Sequence, residues 1–145
     1  MDVTIRKAQV RDIPDIIKMN NVMNEEGPST FEHMKESLEN NQSEIVFVAV
    51  HNGTAIGLIC GQLHPSICYA NYTQCEVMEL FVREDYRRMG IATKLIKRLE
   101  LEFEKYNPQE IYLQTGKKNV NAQKFYQNNG YTVRERIVYL KNKNS

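Results

Sequence analysis

The sequence predicts an α/β domain, with helices packed on the faces of a partly antiparallel sheet. Three observations lead there. The hydrophobic period switches repeatedly between about 2 and about 3.6 along the chain, so strands and helices interleave. Asn52-Gly53 between two β-branched runs is a hairpin signal, which makes part of the sheet antiparallel. The 145 residues hold no linker, internal repeat or low-complexity block, and this length suits one domain.

Taken in order, Val3 to Lys7 alternates and reads as a short strand. Asp12 to Asn20 carries Ile13, Ile16, Ile17 and Met19 at helical spacing, with Pro14 tolerable in the first turn. Asn24 to Pro28 breaks that helix, and Ser29 with Glu32 reads as a capping box for a second one through Leu38. Glu44 to His51 is a buried strand, and Thr54 to Leu63 returns after the Asn52-Gly53 turn. His64-Pro65 ends it, Ser66 to Tyr72 is a loop, and Gln74 to Val82 is the next strand. Gly90 to Tyr106 is a helix with Ile91, Leu95, Leu99 and Phe103 on one stripe, stopped by Asn107-Pro108. Ile111 to Thr115 reads as a strand, Asn119 to Asn129 as a helix closed by Gly130, and Tyr131 to Leu140 as one or two final strands. Lys141 to Ser145 is a polar tail.

Composition excludes several classes. Nineteen Lys and Arg against eighteen Asp and Glu give a net charge of +1, without the basic excess that nucleic acid wants. No apolar run approaches the roughly 18 residues that span a bilayer, and the N-terminus lacks a signal-peptide core. Cys60, Cys68 and Cys75 are odd in number with no CxxC pair, which points to a reducing cytoplasm rather than a disulfide framework or a zinc finger. His33, His51 and His64 are scattered without metal-ligand spacing, so no metal is expected.

The most informative stretch is Val82 to Ile96, VREDYRRMGIATKLI, in which a strand ends, a polar turn follows and a helix begins. A helix start offers unpaired N–H groups and a partial positive charge, a natural anion site. Gly90 removes the side chain where a pyrophosphate needs close approach. Ala92 stays small, Thr93 offers a hydroxyl, and Arg87 and Arg88 add positive charge. The plainer alternative is that Gly90 only loosens the turn and the arginines are solvated. Neither GxxxxGK[ST] nor GxGxxG is present.

Arg87-Arg88-Met89-Gly90-Ile91-Ala92 resembles the R/Q-x-x-G-x-G/A signature of the GNAT superfamily of N-acetyltransferases, with Ala92 in place of the commoner glycine. Asn119, Ala122, Phe125-Tyr126 and Gly130-Tyr131 resemble the family's N-x-x-A-x-x-F-Y…G-F/Y segment. The resemblance implies a mixed, mostly antiparallel sheet with a splayed central pair of strands and helices on both faces. It implies acetyl-CoA as co-substrate, its pyrophosphate held by the Arg87 to Thr93 turn. Its pantetheine arm would pair with Leu80, Phe81 and Val82, the strand at Ile111 to Thr115 parting to admit it. A backbone N–H near Leu80 would meet the thioester carbonyl.

Transfer to an amine needs a base, because an alkyl ammonium with a pKa of about 10.4 is almost wholly protonated near neutrality. Glu76 alternates with Met78 and Leu80, and Glu79 with Cys75, Val77 and Phe81. Strict alternation therefore sends the two carboxylates to opposite sides, each among apolar neighbours that favour a raised pKa. Glu76 is the preferred base, Glu79 the second choice, and one of them is a plain strand residue. Tyr126 is the candidate acid that protonates the departing thiolate, or else a core tyrosine beside Phe125. Asn119 is a ligand of the coenzyme arm, a helix N-cap, or both. Cys75 invites an acetyl-cysteine route, but no histidine lies near it in sequence, and an inert thiol is the better reading.

Glu25 and Glu26 lie where the family commonly contacts its acceptor, and would attract a cationic amine: a polyamine, an aminoglycoside or a basic peptide terminus. A solvated acidic loop is the alternative. His64-Pro65-Ser66 through Tyr72, with Tyr69 and Tyr72, would form an opposite wall. Glu76 to Val82 resembles the aminoglycoside acetyltransferases of the superfamily over a short stretch. Direct transfer, a small-molecule or peptide amine acceptor and a homodimer through the last strands complete what the resemblance implies. A non-catalytic acyl-CoA-binding module is the competing function.

Overall fold

Asn52 and Gly53 both take positive φ, 50° and 77°, as a two-residue hairpin turn requires, and this fixes the register of the sheet. In the computed structural model, which describes residues 1–23 and 29–143, the hairpin joins β2 (Glu44–His51) to β3 (Thr54–Pro65). Around it stand β1 (Thr4–Lys7), β4 (Thr73–Val82) and β5 (Pro108–Leu113). The sheet order is β1-β2-β3-β4-β5. Every neighbouring pair is antiparallel except β4 with β5, which is parallel. The helices are α1 (Ile13–Met23), α2 (Phe31–Asn40), α3 (Ile91–Phe103) and α4 (Val120–Asn128). The chain forms two compact units, Met1–Gln114 and Thr115–Ser145.

The first unit is a sheet covered on both faces. β2 alternates, so Val48 turns to one side with Leu58 of β3, and Phe47 to the other with Ile59. Val48, Ala55 and Leu58 pack with Met19 of α1, joined by Ile16, Met23 and Phe81. On the opposite face α3 buries Leu95, Leu99 and Phe103, and β3 presents Gly57 and Gly61 beneath them. A Cβ on Gly61 would lie 2.5 Å from Phe103 Cζ, so the glycine is what lets α3 sit this close.

Two buried carboxylates tie the ends of elements together. Asp12, 3% exposed, takes both guanidinium nitrogens of Arg6 at 2.7 and 2.8 Å and the Gln9 N–H at 2.7 Å. Burial pushes its carboxyl up, but the Arg6 and Gln9 hydrogen bonds outweigh that and hold it below the ordinary aspartate value. Glu102 on α3 gathers Lys7, Arg98 and Lys105 at 3.2, 3.3 and 3.0 Å. Through Lys7 it links the far end of α3 to β1.

Several boundaries differ from the sequence reading. α1 is preceded by a 3₁₀ turn at Val10–Asp12 and runs three residues past Asn20. The cap of α2 is Thr30, whose Oγ1 accepts from the His33 N–H at 3.1 Å, not Ser29. Thr30 sits one residue nearer the first helical residue, and the hydroxyl of a cap must reach N–H groups two or three positions on. The final strands expected between Tyr131 and Leu140 are absent; that segment belongs to the second unit and carries no regular structure. Ile137, Tyr139 and Leu140 are 80 to 90% exposed there. β-branched composition favours a strand only where a partner edge is supplied.

Candidate active site

β4 carries the site. It pairs with β3 along its whole length, from Thr73 opposite Pro65 to Val82 opposite Gly57. On its other edge it pairs with β5 only as far as Val77 opposite Leu113. Beyond that point the strands part, and Met78 to Val82 line an open edge. The expected parting is present, with β5 ending two residues before the predicted Thr115.

The pairing of β3 and β4 slips once. Cys60 faces Glu79 and Gly61 faces Val77, so Met78 is an extra residue, a β-bulge. Glu76 then pairs with Gln62. Cys60 and Gln62 share one face of β3, so Glu79 and Glu76 share one face of β4. This overturns the alternation argument that sent them to opposite sides: one inserted residue reverses the parity beyond it. The two positions are two residue steps apart on β3, about 7 Å. Their common face is the one covered by α1 and α2, because Glu79, Cys60, Leu58 and Val46 line a cavity with Ile16 and Met34. Cys75 and Val77 turn the other way and are buried.

The two carboxylates have different surroundings. Glu76 stands where β4 and β5 part, opposite Tyr112, and its side chain is 17% exposed. The Tyr112 hydroxyl donates to its Oε1 at 3.2 Å, and His64 Nε2 lies 2.9 Å from the same oxygen. Glu79 is exposed to solvent and sits on the wall of a cavity of about 250 Å³ between α1, α2 and the sheet. Glu44, His33, Asn41 and Ser29 add polar groups to that wall, and Met23, Met34 and Leu38 make the rest apolar. Partial burial raises the Glu44 carboxyl above its ordinary value, and the charge of Glu79 adds to this while His33 opposes it.

The open edge has usable backbone groups. The Arg83 N–H donates to Ile56 O at 2.8 Å, so Arg83 and Phe81 aim their backbone at β3. Leu80 and Val82 therefore aim theirs at the open side. Val82 O accepts from Arg87 Nε at 2.8 Å, and the Arg87 guanidinium lies over the Phe81 ring. Phe81 itself packs into the α1 side of the core, and Val82 is buried on the α3 side.

After a 3₁₀ turn at Glu84–Tyr86, Arg88 and Gly90 both adopt left-handed backbone, φ 65° and 78°. Gly90 is the N-cap of α3, and a Cβ built on it meets nothing within 4 Å. Its place is open ground in front of a helix of thirteen residues that has no acidic side chain in its first turn. The leading N–H groups, of Ile91, Ala92 and Thr93, have no acceptor inside the helix. Ile91 anchors this turn in the core, Ala92 and Thr93 are half-buried, and Arg88 and Met89 are exposed. The frame fits an anionic group.

Other predicted residues fall elsewhere. Tyr69 and Tyr72 line a shallow depression around His64, Pro65 and Gln74, separate from the cavity that Glu79 lines; their rings are 5.9 Å apart. Glu25 and Glu26 lie outside the described residues. In the second unit, Asn119 caps α4, its Oδ1 accepting from the Ala122 N–H at 3.1 Å. Tyr126 is half-buried between the rings of Phe125 and Tyr131, 5.2 and 5.8 Å away. Cys75 is fully buried, and burial, then the charge of Glu104, push its thiol up to about 11, so it stays protonated at neutral pH. Tyr112, Glu44 and Cys60 join the site without having been singled out for it, and His64, expected on the wall with Tyr69 and Tyr72, also reaches Glu76. A register drawn through the Ser66 to Tyr72 loop would have brought His64 toward Glu76.

Residues 11–131 match the model of the acetyltransferase (GNAT) family. The chain belongs to that family. An N-alpha-acetyltransferase of Saccharolobus solfataricus is 32% identical over 137 residues, covering 87% of this chain and 78% of the relative. One of Sulfurisphaera tokodaii is 31% identical over 138 residues, covering 88% and 78%. This GNAT protein is thus an N-acetyltransferase. Its fold is shared with an aminoglycoside acetyltransferase from an uncultured soil metagenomic sample in complex with sisomicin, at TM-score 0.83 and 20% identity over 97% of this chain and 95% of that one. It is also shared with AAC(6')-Iy in complex with the bisubstrate analog CoA-S-monomethyl-acetylneamine, at TM-score 0.85 and 18% identity over 99% of both chains. Among the described residues of this GNAT chain, no helix is long and apolar enough to cross a membrane.

Proposed function

We propose that the protein transfers the acetyl group of acetyl-CoA directly to a primary amine, with Glu76 as the base that takes the amine proton. The observation that carries this is the parting of β4 and β5 with Glu76 at its vertex, on the same strand whose end leads into the Gly90 turn. Glu76 would remove the proton that keeps an ammonium from attacking. The Leu80 N–H, aimed at the open edge, would donate to the thioester oxygen as negative charge builds there. The N–H groups of Ile91, Ala92 and Thr93, with Arg87 and Arg88 near, would hold the diphosphate, and Phe81, Val82 and Met89 would border its path. Tyr126 is assigned as the proton donor to the leaving thiolate, and Asn119 to the coenzyme arm.

The acceptor would enter the cavity beneath α1 and α2. Glu79 and Glu44 on its wall favour a cation, the apolar remainder a short aliphatic neighbour to the amine. Glu25 and Glu26 extend the same acidic reading. The α-amine of a peptide is the leading acceptor, because the curated relatives at 31 and 32% identity are N-alpha-acetyltransferases; the aminoglycoside likenesses lie at 18 to 20%. Attack occurs in a ternary complex, since the buried, protonated Cys75 is a poor acyl carrier. A reducing cytoplasm suits the three free cysteines. A homodimer would cover Ile137 to Leu140, and sedimentation measures that directly.

The test is thiol release from acetyl-CoA against peptides with free and blocked N-termini, polyamines, amino acids and aminoglycosides. Turnover with free but not blocked peptides supports the reading. Turnover only with aminoglycosides would replace the acceptor and keep the reaction. No turnover with any amine, and none of the thermal shift that bound acetyl-CoA produces, would refute it.

A further inference from the structure

We infer that His64 is a positioning residue that sets the strength of Glu76 as a base. The inference rests on Glu76 being that base. Three neighbouring strands each contribute one side chain: His64 from β3, Glu76 from β4 and Tyr112 from β5. His64 Nε2 and the Tyr112 hydroxyl both meet Oε1 of Glu76, at 2.9 and 3.2 Å. The rings of His64 and Tyr112 are stacked with centroids 6.2 Å apart, so each braces the other. With both contacts on Oε1, the geometry leaves Oε2 to face an incoming amine. A carboxylate held by two donors from two strands cannot rotate that oxygen away without losing both bonds.

The side chain of His64 is 42% exposed, while Glu76 at 17% is the sheltered partner. A neutral imidazole with its proton on Nε2 orients Glu76 at no cost in charge. An imidazolium 2.9 Å away holds the negative charge on Glu76 more strongly and makes it a weaker base. The titratable groups facing His64 are Glu76 and Tyr112. Gln74, opposite His64, leads on to Glu110 of β5, and Glu79 and Glu44 stand on the same face of the sheet. A proton gained by His64 would therefore impose a loss of rate on the acid side beyond that caused by protonation of the amine.

The experiment compares pH–rate profiles of kcat for the wild-type chain, His64→Gln, His64→Ala and Glu76→Gln from pH 5.5 to 8.5. The readout is thiol release from acetyl-CoA, with the amine that turns over or with water as acceptor where none does. Glutamine keeps an N–H donor and removes the titration. We expect His64→Gln to stay within about threefold of wild type at pH 8.5 and to lose ~3- to 10-fold less than wild type on going to pH 5.5. His64→Ala, with no donor, should lose about tenfold in kcat at every pH with the KM for acetyl-CoA unchanged. A His64→Gln profile that superimposes on wild type overturns the inference, as does a uniform loss matched by a lower Tm. Glu76→Gln separates the two claims. If it abolishes turnover while His64→Gln changes nothing, the base stands and the positioning fails; if it keeps full turnover, the base assignment itself fails.

Discussion

Gly61 lies opposite Val77 at the bulge and directly beneath α3, so Gly61→Ala probes the packing that fixes the site. The new Cβ would meet Phe103 Cζ at 2.5 Å, Leu99 Cδ1 at 2.8 Å and Phe103 Cε1 at 2.9 Å. Ordinary contact starts near 3.4 Å, so the Phe103 ring must retreat by about 0.9 Å, from 2.5 to 3.4 Å. Phe103 and Leu99 are 0% exposed, so neither can swing out into solvent without losing its burial. Overpacking of this kind costs about 1–3 kcal/mol. With an unfolding entropy of ~2.1 cal/mol/K per residue over 145 residues, that is a fall in Tm of about 3–10 °C. Gly57→Ala is the internal control on the same strand and face, because its nearest contacts are 3.2, 3.3 and 3.4 Å. The backbone entropy gained from replacing a glycine offsets that milder squeeze, so Gly57→Ala should stay within about 1 kcal/mol of wild type. Urea unfolding of both variants at equal protein concentration measures the difference. Equal stabilities for the two, or an unharmed Gly61→Ala, would refute the packing account.

Three further outcomes are expected. Gly90→Val forces a β-branched residue into left-handed backbone, at about 1–2 kcal/mol, with open space around it; it should fold but raise the KM for acetyl-CoA at least ~10-fold, which steady-state kinetics measures. Asp12 has a depressed folded pKa, so its contribution is full above the unfolded value of about 3.9 and is lost as pH falls through the lower folded value. Asp12→Asn should cost about 2–3 kcal/mol at pH 7, less than a wholly buried pair because Arg6 keeps some solvent, and should flatten the acid limb of stability between pH 5 and 2 in denaturant titrations. Tyr126→Phe should lower kcat ~10-fold or more with the KM for acetyl-CoA little changed; an unchanged kcat would leave Tyr126 as a partner of Phe125 and Tyr131 alone.

Local chemistry made much of this legible in advance. Asn52-Gly53 set the hairpin, the stripe of Leu95, Leu99 and Phe103 set α3, and Arg87 to Ala92 marked the turn in front of it. The placement of Glu76 against Glu79 failed because parity along a strand assumes an unbroken ladder, and no residue type between Cys75 and Leu80 announces that Met78 is unpaired. The contact of His64 with Glu76 escaped for a related reason: it depends on the register across β3, β4 and β5, a property of three segments jointly. The C-terminal run shows the limit of composition. Val133, Ile137 and Val138 have strand-forming side chains, yet nothing within the segment supplies the hydrogen-bonding edge a strand requires.

Met78 acts like a frameshift in side-chain space. It is half exposed, so its identity matters little to packing, and many residue types could stand there. What matters is that it stays unpaired, because the bulge absorbs the odd residue between Glu76 and Glu79. Deleting it would leave Val77 opposite Gly61 and Glu79 opposite Cys60 on a regular ladder, with Glu76 and Glu79 two positions apart on the face they already share. The pair of carboxylates on one face is therefore set by how β4 pairs with β3, not by the spacing of Glu76 and Glu79 along the chain. Substitution and single-codon deletion at this position should therefore both spare the core and the pair of carboxylates, whereas deleting a paired neighbour such as Val77 would dismantle them.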